Sequence, residues 1–157
     1  MQNYLPLLIV PGFLAFFAGF WCLVGVGLAQ MSGWATLARL YKAMGHAPGP
    51  RSPMQSGALN GVAFGSALTV GVSEQGLFLA VFPLFRAGHP PLLIPWSQMS
   101  DFELEKRLWA TVHTTRIRAG SETVELTLND RRVADRIQLY ISQSTSGSIS
   151  DGSSKRA

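Results

Sequence analysis

The sequence predicts a membrane-anchored α+β protein: one N-terminal transmembrane helix, an amphipathic juxtamembrane helix, and a small antiparallel β-sandwich or barrel closed by a C-terminal helix. Three observations predict it. The stretch Leu5–Ala29 is apolar throughout, and no charged residue occurs before Arg39. From Val62 the apolar residues recur with the period of two that marks a strand with one buried face. Near the C-terminus the period returns to that of a helix, with Val133, Ile137, Tyr140 and Ile141 on one face.

At about 1.5 Å per residue, Leu5–Ala29 covers roughly 35–38 Å as a helix, somewhat more than the roughly 30 Å hydrocarbon core of a bilayer. The transmembrane helix is placed at 5–30. Gly27, Leu28 and Ala29 put small residues where a signal peptidase cuts, before Gln30. The leader nevertheless carries no Lys or Arg, and the apolar run far exceeds a signal peptide's apolar region, so an uncleaved anchor is the reading. Arg39, Lys42 and Arg51 follow the run and none precedes it. The positive-inside rule therefore sets the N-terminus outside and the C-terminal domain in the cytoplasm. Within the run, Gly12, Ala15, Gly19, Cys22, Val26 and Ala29 recur every three or four residues. Gly12, Ala15 and Gly19 are the candidate contacts for another transmembrane helix or a second copy, because small side chains let backbones approach.

Residues 32–45 follow. Ser32 is a suitable N-cap, and Trp34, Leu37, Ala38, Tyr41 and Met44 lie on one helical face, with Arg39 and Lys42 to the other side. Such a helix either lies along the interface with Trp and Tyr at headgroup depth or packs on the following domain. Residues 46–57, dense in Pro, Gly and Ser, read as a linker.

The β domain is placed at 58–141. Thr69–Val72 and Leu77–Phe82 form a hairpin across Ser73-Glu74-Gln75-Gly76, with Gly76 available for positive φ. A loop Arg86–Pro91 precedes a strand Leu92–Trp96, where Pro95 implies an edge or a bulge. Phe102 and Leu104 continue after a bend. Leu108–Arg118 then turns through Ala119-Gly120-Ser121 into Val124–Leu128, and Asn129 or Asp130 caps the last helix. Residues 142–157, polar and rich in Ser and Gly, read as a disordered tail.

Several function classes lack a signature. Cys22 is the only cysteine and lies in the apolar run, so no intrachain disulfide or CxxC site exists. His46, His89 and His113 have no metal-ligand spacing, and no cofactor motif occurs. The net charge of +4 arises wholly after the apolar run, without a basic stripe interleaved with aromatics, which fits anionic lipid headgroups better than nucleic acid. Asp101, Glu103 and Glu105 alternate along a strand and form a solvated face rather than an acid/base pair. No GxSxG elbow is present. The chain reads as non-catalytic. Arg86 and His89, in a Pro-flanked loop beside Phe82, Phe85 and Trp96, form the compact polar cluster; Arg86, His89 and Trp96 are the candidate interaction residues for an anionic headgroup or a partner's carboxylate.

The pieces VGVSEQGLFLAVF, LLIPWSQMSDFEL, ETVELTLND and RRVADRIQLYI, spanning about Leu68–Ile141, resemble small bacterial membrane-anchored proteins with a pleckstrin-homology or GRAM-like domain. The resemblance implies a PH-like β domain closed by its C-terminal helix, at the bacterial inner membrane. Phosphoinositide-binding members carry a basic cluster after the first strand. Ser73-Glu74-Gln75-Gly76 is acidic instead, which argues against headgroup recognition at that turn. The expected roles are a membrane interaction or adaptor module, with a lipid-sensing surface module and an unrecognised enzyme as alternatives. The expected partners are the bilayer and another membrane protein.

Overall fold

The computed structural model describes residues 5–45, 48–100, 103–107 and 110–150. His46, Asp101, Phe102 and residues 151–157 of the expected tail lie outside the described residues.

Helix α1 (Leu5–Met31) runs unbroken through Pro11. The segment Leu8–Met31 is long and apolar enough to cross a membrane. Ser32 and Gly33 then turn the chain into α2 (Trp34–Tyr41). Ser32 does not take the N-cap position expected of it. Gly33 does, at φ +74°, where a Cβ would lie 2.8 Å from Asn60 Nδ2 and 3.1 Å from Val124. Only glycine combines that backbone with that approach. The Ser32 hydroxyl instead bridges the corner, donating to the Ala29 carbonyl and accepting from the Trp34 N–H, each at 3.4 Å.

Of the two placements the sequence allowed for α2, the structure adopts packing on the domain. Trp34 and Leu37 are 0% exposed and belong to the main core, and the Tyr41 hydroxyl donates to the Arg118 carbonyl at 2.7 Å. The helix ends at Tyr41, leaving Met44 beyond it exposed.

The expected linker 46–57 needs correcting, because Arg51–Leu59 is strand β1. It pairs with β2 (Val62–Ser73) across a two-residue Asn60-Gly61 turn with φ +45° and +79°. Positive φ at both positions matches a turn of primed type, whose twist suits a hairpin. Pro53 is tolerated because the register slips there, between Ser52 and Gln55, with Met54 at φ +57°. Next, β3 (Gly76–Val81) pairs with β2 in the expected hairpin, Ser73 opposite Gly76. A 3-10 turn, Pro83–Phe85, leads to the edge strand β4 (Leu92–Ile94), which stops before Pro95. After a second 3-10 turn, Trp96–Gln98, come β5 (Glu103–Arg107), β6 (Ala110–Ala119) and β7 (Glu122–Leu128). Gly120, φ +67°, opens the β6–β7 turn.

The strands form one antiparallel sheet in the order β4-β3-β2-β1-β7-β6-β5. It curls. The chain leaving β4 at one edge reaches β6 near the other, where Met99 bridges Ile117, the Ser100 N–H donates to the Arg116 carbonyl, and the Thr115 hydroxyl donates to the Ser100 carbonyl at 2.7 Å. Leu59, Leu68, Leu77, Leu79, Ile117 and Leu126 fill the concave side. Helix α3 (Arg131–Ser150) closes it with Val133, Ile137 and Ile141, and Asp130 Oδ1 accepts from the Arg132 N–H at 2.8 Å as the expected cap. The expected tail from Ser142 also needs correcting, since α3 continues to Ser150. A helix already nucleated by packed residues adds one hydrogen bond per further residue, so it propagates past its last core contact.

Candidate functional site

The C-terminal half of α1 packs against the loop between β3 and β4. Residues 84–88 run alongside the helix in the same direction. Trp21 contacts Phe85, ring centroids 5.6 Å apart, and its Nε1–H donates to the Leu84 carbonyl at 3.4 Å. One turn further on, Gly25 faces Ala87: a Cβ on Gly25 would meet the Ala87 carbonyl oxygen at 2.9 Å. One residue beyond, a Cβ on Gly88, φ +78°, would meet the Val26 Cα at 2.9 Å. Two glycines therefore let loop and helix touch along their backbones.

Behind this contact His89 is 2% exposed. Trp34 and Phe64 stand edge-on to its ring at centroid distances of 5.2 and 5.6 Å. His89 Nδ1 lies 3.1 Å from the Ala87 carbonyl, an acceptor, so Nδ1 carries the proton of the neutral ring. Nε2 is then a buried acceptor with no hydrogen-bond partner among the described residues. Burial among apolar rings holds the His89 pKa below its ordinary value, against a smaller opposing effect of backbone carbonyls. The Trp34 Nε1–H donates to the Pro90 carbonyl at 2.9 Å and so ties α2 to the same loop. A crevice of about 230 Å³ remains between Trp21, Val24 and Leu28 of α1 and Val62, Ala67 and Phe85 opposite, with His89 also lining it. Its character is apolar.

The structure separates the residues the sequence grouped. Arg86 points to solvent and His89, three residues on, is buried; the two do not form one polar cluster. Trp96 is buried at the opposite end of β3, where its Nε1–H donates to the Ser73 carbonyl at 2.9 Å and its ring stacks on Tyr140 at 5.4 Å and 10°. A methyl group added at Gly12 or Gly19 would have nothing within 4 Å among the described residues, and Ala15 is exposed. Glu103 and Glu105 are exposed on β5, with Arg116 3.7 Å from Glu103.

What sequence reasoning missed is the pairing of Gly25 with Ala87, of Gly88 with Val26, and of Trp34 and Phe64 with His89. A loop glycine followed by a histidine, Gly88-His89, was the available sign, but its helix partner is more than sixty positions away. No family model and no curated protein sequence matches the chain.

Proposed function

We propose that the chain is a non-catalytic single-pass membrane protein whose β domain is an interaction or adaptor module held rigidly at the cytoplasmic face of a bacterial inner membrane. One observation carries this reading. Every described side chain from Leu8 to Leu28 is exposed except the position of Gly25, and the exposed residues include Phe13, Phe16, Phe17 and Leu23 at 51–73%. A helix apolar on all sides has no aqueous resting place, whereas a bilayer satisfies it. Its other end is part of the domain: Ala29 is 1% exposed within the core, so an uncleaved span is favoured over a signal peptide.

A curled antiparallel sheet with one C-terminal helix supports the PH-like reading, and such a scaffold leaves its outer surfaces for partners. The exposed span offers a second contact surface, for another membrane protein or for self-association, and the basic residues following it favour anionic headgroups.

In-cell crosslinking followed by mass spectrometry tests the reading. The expected result is a reproducible membrane-protein neighbour. Purification of the full chain in mild detergent as a lone monomer, with no crosslinked neighbour in cells, would overturn the adaptor role. Protease accessibility of the β domain in inverted but not right-side-out vesicles is the expected orientation.

A further inference from the structure

The loop that grips α1 ends in a tip of exposed apolar side chains. Phe82 is 56% exposed, Leu84 65% and Phe85 39%, around Pro83. The tip is well formed, because the Phe85 N–H donates to the Phe82 carbonyl at 2.8 Å and the Arg86 N–H to that of Pro83 at 3.3 Å. A soluble surface rarely gathers such residues without something to cover them. Here the tip is continuous with another uncovered apolar surface, the flank of α1 at Trp21.

Depth follows from the contacts. A hydrocarbon core takes about twenty helical residues, and centred on the apolar run Leu5–Ala29 it covers about residues 7–27. Trp21 then lies about 9 Å inside the boundary, at 1.5 Å per residue. Phe85 and Leu84 touch Trp21 and share that depth. Gly88 sits beside Val26 and Ala29, at the boundary itself. Burial of about 5–10 Å is the range in which apolar faces sit when they insert from one side of a membrane. Arg86, exposed and directly behind the tip, is placed to reach lipid phosphates with its guanidinium while its stem stays in the apolar layer.

We propose that Phe82–Phe85 is a second membrane contact, a wedge inserted into the leaflet facing the β domain beside α1, so that the domain is held at two points. The wedge rests on the reading of α1 as a transmembrane span. One pivot leaves a domain free to rock, and two fix its tilt and the face it offers to partners. The β2–β3 turn at Glu74, six strand residues away along β3, is roughly 20 Å further from the wedge and stays in water.

The test uses the full chain with Cys22→Ser, reconstituted into phosphatidylcholine/phosphatidylglycerol vesicles. An environment-sensitive nitrobenzoxadiazole label is attached at Leu84→Cys or, separately, at Glu74→Cys. The expected result is blue-shifted emission at position 84, quenched several-fold more by acyl-chain nitroxide lipids than at position 74, with the protein resistant to alkaline extraction. Aqueous emission at both positions in extraction-resistant protein overturns the wedge and leaves the span standing. Blue-shifted emission at position 84 that lipid nitroxides do not quench also overturns it, since protein rather than lipid then covers the tip. Release by alkali removes the span and the wedge together.

Discussion

Helices α1 and α2 are consecutive, both rich in apolar and aromatic residues, and end in opposite environments. Trp21 of α1 is 38% exposed; Trp34 of α2 is 0% exposed. The difference lies in arrangement rather than in composition. In α2 the apolar residues occupy one face and Arg39 lies off it, so the helix can bury that face against the sheet and leave the rest in water. In α1 no polar face exists, and burying one side on the small β domain would leave the others uncovered. The domain takes only the C-terminal part of α1, from Trp21 to Ala29, and the remainder goes to the bilayer in our proposal.

The largest expected effect comes from breaking the buried member of the pair. Trp34→Ala removes a core ring, its hydrogen bond to Pro90 and a neighbour of His89, and is expected to destabilise the β domain by about 3–5 kcal/mol. Denaturant unfolding in detergent, followed by tryptophan fluorescence, measures it; membrane retention of the chain is expected to stay unchanged.

Leu14→Arg breaks the other member. A charge near the centre of a span costs about 2.5–3.5 kcal/mol for insertion, and Leu14 is not part of the domain core. Reduced alkali-resistant retention with an unaltered unfolding midpoint is expected. A shifted midpoint with normal retention would show that the two helices do not divide their roles in this way.

Gly88→Ala acts on the join. Its φ of +78° strains any L side chain, and the added methyl meets the Val26 backbone, so a loss of about 1–3 kcal/mol is expected. Loosening of the loop is readable as faster proteolysis after Arg86.

His89 gives the smallest effect. Its folded pKa is below the unfolded value, so between the two the unfolded chain binds more protons and stability rises with pH. Stability is expected to be complete above the ordinary histidine pKa of about 6.5 and to decline as pH falls below it. His89→Asn is expected to flatten that part of the profile in unfolding experiments from about pH 5 to 8, the range in which histidine titrates. An unchanged slope would assign it to other groups.

Much of this was legible in one dimension. Local periodicity identified α1, the β2–β3 and β6–β7 hairpins and the start of α3, because each depends on neighbours within a few positions. Strand β1 was missed because its Pro and Ser content reads as a linker, although Asn60-Gly61 followed by an alternating run is a strong hairpin signal that implies a preceding partner strand. The Arg86–His89 loop shows the opposite case. Spacing brought the two residues together, and only packing turned one to solvent and the other between Trp34 and Phe64, 55 and 25 positions away in the chain.

By itself the sequence determined that one segment is too apolar on all sides for water and that alternating strands and a closing helix follow it. Periodicity and hydropathy are properties of adjacent residues, and they survive without a fold. The tertiary structure decided that α2 belongs to the core, that His89 is buried, and that the Phe82–Phe85 tip lies beside Trp21. Those facts depend on how the sheet curls and on two glycines, Gly25 and Gly88, whose missing side chains let distant backbones meet.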